Sequence, residues 1–200
     1  LAFALNAATL EPRPDTELLV ELAIKALPQG GRLLDLGTGT GCIPIAVLAN
    51  RPDASGLATD INAEALEMAQ ANAARHGVMD RLGFARGNWF DALSASGRGA
   101  DKYEIVGSNP PYITSAVIET LAPEVKDFDP RVALDGGPDG LVPYRTIAAQ
   151  VRDVLVPDGR VLVREVIPDD GVVSNTYQPP VAGWDHEAWY YSTSYSRGIE

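Results

Sequence analysis

The stretch Leu33-Leu34-Asp35-Leu36-Gly37-Thr38-Gly39-Thr40-Gly41 constrains the fold more than any other part of this chain. A short apolar run that meets three alternating glycines must end in a turn, and Cys42 to Asn50 then reads as a helix. Strand, glycine turn and helix in that order open a βαβ unit. Glycines at 37, 39 and 41 let the backbone approach a ligand closely, and the helix start offers free N–H groups. A dinucleotide fingerprint would need Gly-x-Gly-x-x-Gly, but its last place is Cys42 counted from Gly37 and Pro44 counted from Gly39. A pyrophosphate is therefore a poor occupant. Asp35, at the strand end, would repel a phosphate and suits a cationic amino-acid moiety, met directly or through water.

Strand and helix patterns alternate through Glu165, with strands expected near 32–36, 55–59, 82–86, 103–108 and 160–165. Thr16–Leu27 has Leu18, Leu19, Leu22, Ala23 and Ala26 at helical spacing, and Asp15 is placed to cap it. This alternation predicts an α/β fold, a doubly wound, Rossmann-like parallel sheet that binds ligands at the strand ends. Asp60 ends the second strand, where an acid is expected to hold ribose hydroxyls; the plainer alternative is that it or Asn62 caps the helix Ala63–His76. After the third strand, Trp89 could lie against an adenine ring, with Asn88 near its exocyclic amine, although an aromatic pair with Phe90 is also ordinary core.

Asn109-Pro110-Pro111-Tyr112 follows the fourth strand. The lone pair of a conjugated NH2 is delocalised, so such a nitrogen attacks carbon poorly unless fixed acceptors orient it. The Asn109 side-chain oxygen and the Pro110 carbonyl can each accept one N–H. Pro110 and Pro111 fix φ and carry no N–H, which stiffens the loop and removes competing donors. Tyr112 could wall a planar group and face a sulfonium through its ring. The chemistry this implies is methyl transfer to an amide or amino nitrogen, with Asn109, Pro110 and Tyr112 catalytic and all four residues binding substrate; a Pro-rich turn after a buried strand is the plainer alternative. The long excursion Ile113–Leu141, rich in proline and acid, is expected to form a lid or substrate wall.

These motifs carry a resemblance. From about Phe3 to Glu165 the chain resembles the release factor glutamine methyltransferases, on Pro12-Arg13-Pro14-Asp15-Thr16-Glu17, the glycine run, Ser108-Asn109-Pro110-Pro111-Tyr112-Ile113, and Leu134-Asp135-Gly136-Gly137-Pro138-Asp139-Gly140-Leu141. The resemblance implies S-adenosyl-L-methionine as cofactor and methylation of the glutamine side-chain amide in the Gly-Gly-Gln motif of a peptide chain release factor. It places the cofactor against Asp35, Gly37, Thr38, Gly39, Thr40, Gly41, Asp60, Asn88, Trp89 and Asn109. The expected organisation is an N-terminal segment 1–15, a methyltransferase domain 16–165 and an atypical tail 166–200. On this reading the chain is a catalytic-domain fragment without the family's N-terminal helical domain and with an incomplete or altered C-terminal strand hairpin. Two readings compete with it: an adenine or other nucleic-acid amino methyltransferase, and an inactive cofactor-binding fragment.

Charge bears on that competition. Sixteen Lys and Arg against twenty-seven Asp and Glu give a formal charge of −11, which argues against direct nucleic-acid binding and favours a basic protein partner. One cysteine, Cys42, fits a reducing, cytoplasmic compartment, and two distant histidines make a metal site unexpected. No apolar run has the length of a membrane span.

Overall fold

The computed structural model describes residues 1–14 and 16–164 and the backbone of Trp189–Ser192. Helix α1 (Thr16–Ala26) leads into the unit β1 (Arg32–Leu36), α2 (Cys42–Asn50), β2 (Ser55–Asp60), α3 (Ala63–Arg75) and β3 (Leu82–Arg86). The short α4 (Asp91–Ala95) and β4 (Tyr103–Ser108) follow. The excursion beyond β4 holds two single-turn helices, α5 (Ser115–Ile118) and α6 (Pro123–Lys126), and a 3-10 turn at Arg131–Ala133. Helix α7 (Val142–Gln150) then runs to β5 (Leu155–Arg164).

The strands form one parallel sheet in the order β3-β2-β1-β4-β5, and the backbone of Trp189–Ser192 adds β6 beside β5. The order reverses between β1 and β4, the switch point where α/β sheets open a crevice. Helix α2 is apolar almost all round, as a helix buried against a sheet must be.

Alternation along the strands divides the core into two layers. Leu33, Ile105 and Leu162 face one side of the sheet, with Leu19 and Ala23 of α1, Ile45 and Leu48 of α2 and Ala73 of α3. Leu34, Leu36, Val106, Val161 and Val163 face the other, with Leu93 of α4 and Ile147 of α7. Strand period 2 and helix period 3.6 thus meet on both faces of the sheet.

The expected strands β1, β3 and β4 have the boundaries read from the sequence, and β2 extends one residue to Asp60. Strand β5 begins earlier, at Leu155: its register jumps from Tyr103↔Leu155 to Ile105↔Arg160, and the intervening residues loop out through Asp158, at φ 65°. Proline, aspartate and glycine in succession read as a strand breaker, and here the ladder resumes after them. Asp15, the expected cap of α1, lies outside the described residues, as does the tail 166–200 apart from the backbone of β6. That backbone pairs parallel to β5 from Val161↔Trp189 to Arg164↔Ser192, so β5 is not the exposed edge that a truncated sheet would leave. No helix among the described residues is long and apolar enough to cross a membrane.

Candidate active site

A cleft of about 690 Å³ opens over the C-terminal ends of β1, β2 and β4. Of the residues singled out in the sequence, Gly37, Thr38, Gly39, Thr40, Asp60, Asn88, Trp89, Asn109, Pro110 and Pro111 line it. Asp35, Gly41 and Tyr112 do not, and each has a physical reason.

Gly41 sits at φ 78° at the start of α2, where a Cβ would meet Ile45 Cδ1 at 2.8 Å and the Ala69 side chain at 3.1 Å. It turns the chain and lets α2 approach α3. Gly39, by contrast, has open space where its Cβ would be, so backbone alone faces the cleft there.

Asp60 organises this turn. Its Oδ2 accepts the Gly39 N–H at 2.9 Å and its Oδ1 accepts the Asn62 N–H at 2.9 Å, while Asn62 caps α3 by accepting the Glu64 N–H at 2.9 Å. The helix cap weighed for Asp60 or Asn62 thus falls to Asn62, and Asp60 braces that cap from the cleft rim. Each oxygen keeps a second lone pair for a donor in the cleft.

Asp35 lies beneath the floor, fully buried, and neither of its carboxylate oxygens has a hydrogen-bond partner. Burial pushes its pKa up to about 7; the neighbouring Thr38 hydroxyl lowers it in part without a well-formed hydrogen bond, and the charge of Asp60 raises it further. Thr38 Oγ1 is itself buried and unpartnered. Burial also pushes the Cys42 thiol up to about 11, which makes it a poor nucleophile at neutral pH. A carboxylate left unsatisfied in the interior is costly unless a cation or donor completes it.

Trp89 has φ 47°, a conformation that bulky residues seldom adopt. Strain of this kind costs on the order of 1–3 kcal/mol and collects at functional sites. The indole is half-buried against the second core layer and lies 4.0 Å from where a Gly37 Cβ would stand, so its ring borders the glycine turn. Asn88 is exposed on the same rim.

Asn109 and Pro110 form a partition. Both line the main cleft and also a second recess of about 400 Å³ that includes Leu10, Arg13, Leu121 and Val125. The Asn109 Oδ1 is buried and has no partner. Tyr112, expected to wall a planar group and face a sulfonium, lines the recess, where the Arg164 guanidinium lies 5.4 Å from its ring centroid. The ring thus meets a cation on the recess side of the partition.

The Leu134–Leu141 motif seats this loop. A Cβ on Gly136 would lie 2.8 Å from Tyr112 Cα, and one on Gly140, at φ 76°, would strike the Tyr112 carbonyl oxygen. The Ile113 N–H donates to the Leu134 carbonyl at 2.9 Å and the Gly136 N–H to the Ile113 carbonyl at 2.8 Å. Asp135 locks the arrangement by accepting from Ser115 Oγ at 2.6 Å and the Gly137 N–H at 2.9 Å; these two donors, the hydroxyl foremost, hold its carboxyl below the usual carboxylate range.

Several lining residues were not singled out as site residues from the sequence. Arg131, Val132 and Ala133 come from the excursion; Arg131 is held by Glu119 at 2.8 Å and Asp135 at 3.5 Å. The N-terminal segment supplies Ala8, Leu10, Glu11 and Pro12, and α1 supplies Thr16, whose hydroxyl is buried without a partner. The length of the excursion signals its wall, whereas nothing in the composition of residues 1–12 marks them as cleft residues. Arg13 pairs with Asp129 at 3.2 Å, tying the N-terminal segment to the excursion. Among the described residues no cluster of potential metal ligands occurs.

Sheet order, glycine turn and strand-end acid define a Rossmann-like fold of the S-adenosylmethionine-dependent methyltransferase class. The methyltransferase small domain family matches residues 13–124. A solved S-adenosylmethionine-dependent methyltransferase from Agrobacterium tumefaciens superposes with a TM-score of 0.55 at 14% identity, over 76% of this chain and 44% of that one, a likeness of fold. The release factor glutamine methyltransferase of Rhodospirillum rubrum is 53% identical over 78% of this chain and 46% of its own length, and that of Neisseria gonorrhoeae is 39% identical over 92% and 68%. The chain belongs to the release factor glutamine methyltransferase family. The chain spans about half the length of several of the curated relatives it matches, that of Rhodospirillum rubrum among them.

Proposed function

We propose that this chain carries the catalytic machinery for S-adenosylmethionine-dependent methylation of a glutamine side-chain amide in a protein, the peptide chain release factor being the substrate that the relatives' names indicate. The residues present suit the cofactor. The orphaned Asp35 carboxylate beneath the floor suits an ammonium, the open backbone at Gly39 suits close approach of a ligand, and Asp60 has lone pairs left for ribose hydroxyls. Trp89 offers a flat face at the rim and Asn88 a polar neighbour. When bound, the cofactor supplies a methyl group on an electrophilic sulfonium.

The observation that carries the reading is the Asn109 Oδ1, a buried acceptor with no partner on the wall shared by cleft and recess. An amide N–H of the substrate would complete it, and the Pro110 carbonyl is the neighbouring acceptor. Two acceptors on a stiff Pro-Pro loop fix the nitrogen and turn its lone pair out of conjugation, so positioning supplies most of the rate. No strong base is required, because the product nitrogen sheds its proton to water or to a carbonyl. Tyr112 acts from the recess side, as a wall for the approaching polypeptide. The −11 charge favours a basic protein partner.

Incubation with methyl-labelled cofactor and a release factor, beside its Gln→Ala variant, tests this directly. Label confined to the glutamine of the parent substrate is the expected result. Equal labelling of the variant, or labelling of nucleic acid in its place, would overturn it.

A further inference from the structure

Asn72 lies on α3, lines neither cavity, and is fully buried, yet its side chain joins two segments that are distant in sequence. Its Oδ1 accepts the Ala4 N–H at 2.9 Å, and its Nδ2 donates to the Ala4 carbonyl at 3.0 Å and to the Thr40 carbonyl at 2.9 Å. Both donors of the amide are thereby used, one on the N-terminal segment and one on the glycine turn. Thr40 stands between Gly39 and Gly41, both at positive φ, in a stretch whose conformation side chains barely restrict.

The N-terminal segment runs antiparallel along α3. The His76 Nε2 hydrogen-bonds with the Ala2 carbonyl at 2.8 Å, Phe3 lies 5.2 Å from the His76 ring, Ala4 meets Asn72, and Asn6 Nδ2 donates to the Glu64 carbonyl at 3.0 Å. The chain then turns, with the Thr9 N–H bonded to the Asn6 carbonyl at 3.1 Å, and delivers Ala8, Leu10, Glu11 and Pro12 to the cleft. The segment that leads into one wall of the cleft and the glycine floor are therefore anchored to the same buried amide.

We infer that Asn72 is a positioning residue which locks residues 2–9, acting as a strap, to the glycine turn, so that seating of the strap and the shape of the cofactor floor are coupled. The chemistry is specific to asparagine. Alanine would leave the Thr40 C=O without its partner in a buried place and the Ala4 N–H and C=O without theirs in a partly buried one. Aspartate could still accept from Ala4 but would set an anion against two carbonyls. The effect on cofactor affinity rests on the methyltransferase reading; the coupling itself does not.

Amide hydrogen exchange on the ligand-free full chain separates the two. In Asn72→Ala, the amides of residues 38–41 and 4–9 should exchange about tenfold faster or more, with β2 and β4 unchanged, since local opening rises only where anchors are lost. Ala4→Pro removes the Ala4 N–H while sparing the Thr40 contact, and should also speed exchange at residues 39–41, which it does not touch. Both variants should bind S-adenosylhomocysteine about tenfold more weakly by calorimetry. Unchanged exchange in the glycine turn of Asn72→Ala, or a response confined to that variant and missing from Ala4→Pro, would overturn the coupling, as would acceleration spread evenly over the sheet. Should Asn72→Ala not fold, Ala4→Pro decides alone by the same exchange criterion. Failure of the parent to bind S-adenosylhomocysteine would remove the cofactor reading and leave the exchange result to judge the strap.

Discussion

The Asp60 carboxylate reaches across from β2 to accept the Gly39 N–H at 2.9 Å, so the acid at the rim also shapes the glycine turn that follows β1. Asp60→Ala removes that acceptor, the partner of the Asn62 N–H and the lone pairs available to a ribose. Binding of S-adenosylhomocysteine should weaken by roughly ten- to a hundredfold, the scale of losing hydrogen bonds to a charged group. Isothermal calorimetry reads this, and an unchanged dissociation constant removes Asp60 from the cofactor site.

Asn109→Ala should act on rate rather than on cofactor affinity. Its oxygen is an unpartnered acceptor awaiting a donor, and loss of one such preorganised group costs on the order of a hundredfold in turnover. Single-turnover methylation with saturating cofactor checks it. Turnover equal to the parent's would show that the amide is oriented by something else.

The buried Asp35 predicts a pH dependence of stability. An exposed aspartate ionises near 3.8, whereas the folded protein holds this proton up to about 7. Between those values the unfolded chain has lost the proton and the folded chain has not, so stability is complete below 3.8 and falls as pH rises toward 7. Asp35→Asn should abolish that fall and be the more stable protein at about pH 8, by on the order of a few kcal/mol, in denaturant titrations. On the proposed cofactor reading, the same variant should bind S-adenosylhomocysteine less tightly, because the ligand's ammonium would lose the anion beneath it. In the parent, that affinity should increase as pH passes through about 7.

Gly140→Ala should damage the Asn109–Tyr112 loop from outside the cleft. Alanine at φ 76° costs roughly 1–2 kcal/mol of backbone strain, and its Cβ would also strike the Tyr112 carbonyl. Turnover should fall about tenfold or more while cofactor binding stays within about twofold, with a lowered melting temperature. Gly97→Ala, also at positive φ but with open space around its Cβ, is the control that carries strain without the collision.

Much of the fold was legible along the chain. The apolar run into alternating glycines, the helix after it and the regular return of strand patterns are local signals, set by side-chain period and by what glycine permits. For the same reason Asp35, Asp60, Trp89 and Asn109 read as one rim, since parallel strands deliver their C-terminal ends to one side; Asp60 ends β2, Trp89 and Asn109 come shortly after β3 and β4, and only Asp35, inside β1, is buried beneath the cleft.

What the tertiary structure alone decided lies in contacts between segments that are remote in sequence. Nothing local to Asp35 tells that both its oxygens are orphaned, since this depends on α2 and the neighbouring strands closing over it. Nothing near Tyr112 tells that its ring meets Arg164 on the recess side of the partition, and nothing in the composition of residues 1–12 announces a cleft wall. Burial, unsatisfied acceptors and the side of a wall on which a ring lies belong to packing, which local periodicity does not encode; the sequence named the residues at the rim, and the packed molecule determined which of them face the ligand and which hold the others in place.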